Sequence, residues 1–343
     1  MPVARWMRRL AIAGVVLCFA VVVLGAYVRL TAAGLGCPDW PGCYGQLTPS
    51  AAAADAAAQA TYGRPLEVGK AWREMIHRYA VGTLSLLILA IVALALRYRR
   101  ASGVSVPYAL ALLATLLLQA LLGMLTVTWQ LNPLIVTLHL LFGLTTLALL
   151  WWLTLSLPTS SWGASAFGGP SRSISGGGAV PYASAGRLAV VGLCALIVQI
   201  ALGGWTSSNY AAIACPDFPT CQGRLWPPAD FRHAFVLWHG LVNYEGGVLM
   251  NAARTAIHLT HRLGALLATT ALALAALFVL RTRGLSAARA RAGLVLGALG
   301  LQLAIGISMV LKGFPLWLAT AHTAGAALLL LATLALLRAL TPR

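Results

Sequence analysis

Charged residues are scarce in this sequence. Only 9% of its 343 residues are charged, whereas 60% are hydrophobic. Soluble domains carry about 25% charged residues, so this composition excludes a soluble globular protein. The sequence instead predicts a polytopic membrane protein, in which lipid replaces water around most side chains.

Among the charged residues, acidic ones are the scarcer. The sequence has seven Asp and Glu against 24 Lys and Arg, for a net charge of +17. A nucleic-acid partner is not expected, because it would require the basic residues on one folded face. The arginine clusters fall on one side of an eight-helix path and all seven acidic residues on the other. This positive-inside pattern predicts a multi-pass protein of the bacterial inner (cell) membrane with both termini cytoplasmic. The clusters lie at residues 5–9, 97–100, 281–291 and 338–343.

Polar interruptions are also few, and they leave eight apolar runs of roughly 20 residues, the length that crosses a bilayer as a helix. We expect the first run to be a membrane span rather than a signal peptide, because the fifth run repeats its exit sequence in mid-chain. The predicted fold class is therefore an all-α membrane protein with eight transmembrane helices. The runs cover about residues 10–30, 72–97, 106–128, 134–157, 186–206, 254–280, 291–312 and 316–338.

The second half of the chain repeats the first. Gly25 is followed twelve residues later by a Cys-Pro-Asp-Trp-Pro-Gly-Cys loop, and Gly203 is followed at the same distance by Cys-Pro-Asp-Phe-Pro-Thr-Cys. Residues 158–185 are rich in Pro, Gly and Ser and predict a flexible cytoplasmic linker. We therefore predict one four-helix bundle at residues 1–157 and another at 186–343. Because each contains an even number of helices, the repeats are parallel, with an axis along the membrane normal.

Each Cys-Pro-Asp loop is expected on the side opposite the arginine clusters, in an oxidising compartment. Five residues, two of them prolines, separate the cysteines of each loop, so a disulfide can close it. The predicted pairs are Cys37 with Cys43 and Cys215 with Cys221. A lone cysteine within a helix, such as Cys18 or Cys194, usually packs as a small buried apolar residue.

Four histidines lie in apolar helical stretches. His77 and His139 are 62 residues apart, and His261 and His322 are 61 apart. Histidine in lipid is costly and by default marks a ligand or a relay. The two members of each pair lie at similar depth on inward-running helices, so their imidazoles can face each other across a bundle.

Two facing imidazoles in a dry bundle suit haem iron, which takes a ligand on each axial side. A closed zinc site requires four ligands, and copper prefers sulfur or a mixed set. The alternative for each histidine is a hydrogen bond to a backbone carbonyl between helices.

The two halves differ in the residue that precedes the first histidine. Glu74 lies three residues before His77 and therefore on the same helical face, whereas His258 occupies the matching position before His261. A carboxylate beside a haem can stabilise a developing cation or move protons. The alternative for Glu74 is a salt bridge to one of three arginines, namely Arg73, Arg78 or Arg29.

Arginines also accompany the histidines. Arg78 and Arg262 directly follow His77 and His261, and Arg29 ends the first span. Their guanidinium groups could pair with haem propionates, or they could extend to the membrane interface. We expect two further histidines, His233 and His239, to be ordinary loop residues.

Several motifs resemble those of the haem A synthase family. They are the segment from Gly-Ala-Tyr-Val-Arg-Leu-Thr through the first cysteine loop at 25–43, Glu-Met-Ile-His-Arg at 74–78, Leu-Gly-Met-Leu-Thr-Val-Thr at 122–128 and Thr-Leu-His at 137–139. The second half adds His-Arg-Leu-Gly and Ala-His-Thr. The resemblance covers nearly the whole chain apart from the linker and the termini.

This resemblance implies an eight-helix membrane oxidoreductase that oxidises the C8 methyl group of haem O to a formyl group in two successive steps. The product, haem A, serves terminal oxidases. The resemblance assigns His261 and His322 to a resident haem b cofactor. It assigns His77 and His139 to haem O, with Glu74 as the catalytic residue.

The resemblance also links the first cysteine pair to catalysis or to the handling of electrons or haem. It implies haem O as substrate and haem O synthase, membrane lipid and an electron acceptor as partners. Two other functions stay open on sequence alone. A bis-histidine electron-transfer cytochrome b would need no substrate, and a quinone-linked thiol oxidase would use the outer cysteines and leave the histidines incidental.

Overall fold

The computed structural model describes residues 2–157 and 179–341, and this part of the chain forms eleven α-helices. Eight are long and apolar enough to cross a membrane, which confirms the predicted fold class. Their bounds are α1 Pro2–Leu30, α4 Val68–Arg97, α5 Val106–Thr128, α6 Pro133–Ser156, α7 Ala179–Ser208, α9 Asn251–Arg281, α10 Ser286–Leu311 and α11 Leu316–Leu340. The short helices are α2 Pro49–Ala54, α3 Ala56–Thr61 and α8 Phe231–Ala234.

The predicted linker at 158–185 was too long. Residues 158–178 lie outside the described part of the chain, but 179–185 form the first turns of α7. Pro181 suggested a linker, yet it is the third residue of the helix. Its missing N–H is tolerated there, because the first four N–H groups of a helix have no intrahelical partner.

In each half the four long helices occupy the corners of a bundle. In the first half α4 and α6 each pack against both α1 and α5. In the second half α9 and α11 each pack against both α7 and α10. The helices that carry the histidines, α4 with α6 and α9 with α11, are therefore diagonal partners across a bundle.

The halves meet through four helices, with α1 on α11, α6 on α7 and α6 on α11. Polar groups at this interface find partners within the protein, as they must where no water is available. Thr137 and Ser208 share a hydrogen bond of 3.3 Å between α6 and α7, and the indole of Trp151 donates to the carbonyl of Leu331 at 2.9 Å. These contacts join both bundles into one apolar body.

The first membrane-spanning helix after each cysteine loop begins earlier than the sequence predicted. α4 begins at Val68 and α9 at Asn251, so each has an additional N-terminal turn. Gly36 packs directly on that turn, where a Cβ atom would lie 2.7 Å from the backbone carbon of Lys70. The first cysteine loop therefore rests on the start of α4 and lies at the same end of the bundle as His77.

Candidate functional site

The four membrane histidines form two pairs. His77 on α4 lies close enough to His139 on α6 to interact with it electrostatically, and His261 on α9 is related in the same way to His322 on α11. All four side chains are half-buried. Each pair therefore spans the centre of its own bundle from diagonal corners.

Each histidine packs against a glycine on the neighbouring helix. A Cβ atom added to the glycine would lie only 2.9 to 3.5 Å from Cε1 of the imidazole. At three of the positions this distance is 3.2 Å or less, so glycine is what lets the ring lie this close to the backbone, whereas at Gly123 it is an ordinary contact of 3.5 Å. The pairs are Gly25 with His77, Gly123 with His139, Gly203 with His261 and Gly306 with His322.

These features fit a haem between the two imidazoles of each pair. Nδ1 of His77 and His139 is buried without a hydrogen-bond partner, so these two rings are not held as ordinary core histidines. Nδ1 of His322 is also unpartnered, although its Nε2 lies 3.4 Å from the amide nitrogen of Gln302. The glycines let the rings lie close to the neighbouring helices. In the described part of the chain no cluster of three or more His, Cys, Asp or Glu side chains could hold a metal ion, which argues against a closed zinc site.

Glu74 is buried, with only 5% of its surface exposed. Its Oε1 lies 2.5 Å from Nη2 of Arg78, and its Oε2 accepts the N–H of Cys37 at 2.9 Å. Of the three arginines considered as partners, the structure pairs Glu74 with Arg78. The carboxylate therefore connects the helix of His77 to the first cysteine loop from a buried position, rather than lying in an exposed ion pair.

Arg78 and Arg262 bind the cysteine loops. Arg78 donates to the carbonyls of Asp39 at 2.9 Å and Gly42 at 2.5 Å. Arg262 donates to the carbonyls of Asp217 and Thr220, each at 2.7 Å. Each loop is thus fixed to the residue that directly follows a membrane histidine.

Arg29 lies between the two halves. It donates to the carbonyl of Ser207 at 2.8 Å and stacks over the ring of Tyr210 at 4.1 Å. The three arginines predicted to contact propionates therefore have protein partners. Propionate binding by Arg29, Arg78 and Arg262 stays a prediction.

The aspartate of each Cys-Pro-Asp loop has a role that the sequence did not reveal. Asp39 accepts the N–H groups of Tyr44 at 2.6 Å and Gly45 at 2.9 Å. Asp217 accepts those of Gln222 and Gly223 at the same two distances. The hydroxyl of Thr220 and these N–H groups hold the pKa of Asp217 below its usual value. Each aspartate therefore closes its loop by accepting two backbone N–H groups.

Disulfides close both loops, joining Cys37 to Cys43 and Cys215 to Cys221. Cys18 is buried, as expected, but Cys194 is exposed on the outer face of α7. The prediction that Cys194 is buried was wrong, because helical periodicity places it on the face away from α9 and α11. Neither free cysteine lies at the loop end of the bundles.

The remaining histidines differ from the membrane pairs. His258 is buried, and its Nδ1 lies 3.2 Å from the carbonyl of Ala211. His233 is exposed, with Nδ1 2.6 Å from the carboxylate of Asp230. The N–H of His239 donates to the hydroxyl of Tyr244 at 3.1 Å. All three therefore have local structural contacts.

Three glutamines were missed at the sequence level. The side-chain amide of each donates to the backbone carbonyl of a membrane histidine at 3.0 to 3.1 Å. A signal was present, because each stands four residues before one of the glycines just described. The pairs are Gln119 with His139, Gln199 with His261 and Gln302 with His322.

Comparison with known proteins agrees with this arrangement. Residues 8–334 match the family described as cytochrome oxidase assembly protein, COX15-CtaA. The chain belongs to this family. The match includes both cysteine loops, Glu74 and all four membrane histidines, so membership of the COX15-CtaA family applies to both bundles.

Relatives in this family carry the name haem A synthase. The protein from Shewanella oneidensis is 41% identical over 329 residues, which cover 95% of this chain and 93% of the relative. A protein from a Caulobacter species is 29% identical, with 96% of this chain and 93% of the relative covered. A third, from Methylobacterium nodulans, is 37% identical over 39% of this chain and 35% of its own length.

Proposed function

We propose that this protein is a haem A synthase that oxidises the C8 methyl group of haem O to a formyl group. His261 and His322 would hold a resident haem b, and His77 and His139 would hold haem O. The observation that carries this division is a difference in ionisable chemistry between two matched sites. Glu74 stands beside the first pair, and His258 stands in its place beside the second.

The second half indicates that Glu74 is not needed to hold a loop. Arg262 binds its loop through four carbonyls, those of Cys215, Asp217, Pro219 and Thr220. It does so with a histidine, His258, where the first half has a carboxylate. Since the loop forms without the anion in one half, the anion in the other half is available for chemistry.

Haem b, when bound, would supply one-electron redox chemistry. Glu74 would act on the substrate by stabilising positive charge as electrons leave the ring methyl. In each of two successive oxidations, two electrons would pass to the proposed membrane electron acceptor, a hydroxyl group from water would replace one hydrogen of the methyl carbon, and two protons would be released. The resulting hydrated aldehyde loses water to give the formyl group. Arg78 would hold the carboxylate in place from 2.5 Å.

The membrane arrangement follows from the charges and the disulfides. We propose a bacterial inner-membrane protein with both termini cytoplasmic and both cysteine loops on the opposite, oxidising side. The two bundles would be parallel repeats, since matched helices make matched contacts. Haem O synthase, a lipid environment for the farnesyl tail and a membrane electron acceptor are the proposed partners.

Extraction of haem from the purified protein tests this function. Cells that make haem O but lack another source of haem A should yield haem A, together with haem b, when they express this chain. Haem b alone would instead support an electron-transfer cytochrome b. A protein without haem would support a thiol oxidase that uses the disulfides.

Substitution of Gly306, which packs against the ring of His322, tests the assignment of His322 as a haem b ligand. A Cβ atom at this position would lie 2.9 Å from Cε1 of His322, so Gly306→Ala must move the ring. We expect haem b occupancy to fall about tenfold or more, the effect typical of displacing a ligand's support. The measurement is haem per mole of purified protein.

Gly300→Ala is the matched control for this substitution. It lies on the same helix, α10, and a Cβ atom there would meet nothing within 4 Å. Its haem b content should equal that of the wild type. Equal haem b in both alanine variants would contradict the assignment of His322 as a ligand.

A further inference from the structure

Three of the four membrane histidines are held by a glutamine, and the fourth is not. Gln119, Gln199 and Gln302 stand four residues before Gly123, Gly203 and Gly306. Their amides donate to the backbone carbonyls of His139, His261 and His322. The fourth glycine, Gly25, is preceded at the same spacing by Val21, whose side chain has no polar atom.

The glutamines also contact the rings in the second half. The amide nitrogen of Gln199 lies 3.0 Å from Nδ1 of His261, and that of Gln302 lies 3.4 Å from Nε2 of His322. A carboxamide both donates and accepts hydrogen bonds, so it can pair with either tautomer of an imidazole. The ring and the backbone of the same histidine are thus fixed by one side chain.

In the second half, space for each glutamine comes from a second glycine on the histidine helix. A Cβ atom at Gly264 or Gly325, each three residues after its histidine, would lie 2.4 or 2.2 Å from the glutamine Oε1. Gly143, four residues after His139, would place one 3.5 Å from Oε1 of Gln119. After His77, the residues at these spacings are Ala80 and Val81. We call the glutamine and the second glycine together a glutamine clamp. His77 therefore has neither part of such a clamp.

A residue that orients a ligand histidine adds to the strength of its metal bond, and its removal typically costs 10–100-fold in affinity. We propose that Gln119, Gln199 and Gln302 are positioning residues, and that His77 is the exchangeable axial ligand of the substrate haem. This inference rests on the proposed function. Haem O must enter the first bundle and haem A must leave it, whereas haem b stays. A site that releases its haem benefits from one ligand that dissociates readily, and His139 keeps the other side fixed.

Binding of carbon monoxide to the reduced protein tests the clamp directly. Carbon monoxide coordinates ferrous haem only where an axial protein ligand has left, and it changes the absorption spectrum when it binds. In the wild type we expect carbon monoxide to bind the haem of the first bundle and not haem b. Gln199→Met removes the hydrogen bonds while keeping an unbranched side chain, and should make haem b reactive.

Val198→Met is the control for this variant, since Val198 is an exposed neighbour on the same helix. It should keep haem b inert. Loss of haem b from Gln199→Met alone would also support the clamp, because an unsupported His261 would no longer retain the iron. Haem b that remains in Gln199→Met and does not bind carbon monoxide would overturn the proposal.

The reciprocal variant builds a clamp at His77. Val21→Gln combined with Ala80→Gly supplies both the glutamine and the space it occupies elsewhere. We expect the affinity of the first-bundle haem for carbon monoxide to fall about tenfold. Val21→Met with Ala80→Gly is the control, and its affinity should stay at the wild-type level. Equal affinity for carbon monoxide in the two double variants would overturn the proposal. This comparison still tests the proposal if Gln199→Met and Val198→Met both lose haem b.

These outcomes are distinct from failure of the proposed function. A protein that makes no haem A but contains haem b still reports on Gln199 through carbon monoxide. Conversely, the wild type could make haem A while haem b of Gln199→Met does not bind carbon monoxide. The proposed function would then stand, and the positioning role of Gln199 would be rejected.

Discussion

Glu74→Gln is expected to abolish haem A formation and to leave haem b at the wild-type level. The amide has the volume of the carboxylate, and its oxygen can still accept the N–H of Cys37. It lacks the negative charge that would stabilise a cation at the ring methyl. The measurement is haem A and haem b per mole of protein, expressed with a supply of haem O.

Burial of this residue raises a competing explanation that must be measured. Breaking a buried ion pair typically costs about 3–5 kcal/mol, because it leaves an unpaired charge in a dry site. Arg78 would keep the carbonyls of Asp39 and Gly42, and Arg262 holds its loop with such carbonyls and a histidine at the position of Glu74. We therefore expect a stability loss below that range. Thermal unfolding of the purified variant should show a modest decrease in the midpoint.

Glu67→Gln is the matched control. Glu67 lies at the start of the same helix and pairs with Lys70 at 2.8 Å, but 56% of its side chain is exposed. Such exposed pairs contribute about 0–1 kcal/mol, so both haems should be unchanged. Near-normal haem A from Glu74→Gln would exclude a catalytic role for the carboxylate. Loss of both haems would identify Glu74 as a residue of the fold.

The fold was predictable because lipid restricts the choices. A bilayer requires about 20 apolar residues per helix and satisfied backbone groups throughout, so eight runs gave eight helices. The ends of the helices could not be predicted in this way. The first turns of α4 and of α7 lie beyond the apolar runs, where contacts with the cysteine loop and the placement of Pro181 decide how far the helix extends.

The sequence predicted which histidines pair across each bundle, but it did not predict the residues that contact them. Histidines in apolar helices are rare, so their number and spacing marked them. Glycine and glutamine are common in membrane helices, and which neighbour they touch depends on how each helix is rotated. Arg78 shows the same limit. The sequence placed it beside His77 but could not show that loop carbonyls and Glu74 would bind its guanidinium.

Removal of either proposed cofactor ligand is the second change with a large expected effect. His261→Ala or His322→Ala should eliminate low-spin haem b, because iron held by two imidazoles cannot remain six-coordinate with one of them missing. The spectrum of the reduced protein and haem extraction both measure this loss. Haem A should disappear as well, since a protein without its cofactor cannot oxidise the substrate.

His258→Ala is the control that separates ligation from burial. His258 lies on the same helix as His261, is buried and pairs with the carbonyl of Ala211. Its loss should lower stability and leave haem b in place. His77→Ala supplies the opposite contrast, because it should keep haem b and impair binding of haem O. Low-spin haem b at the wild-type level in His261→Ala or His322→Ala would show that the second bundle is not the cofactor site.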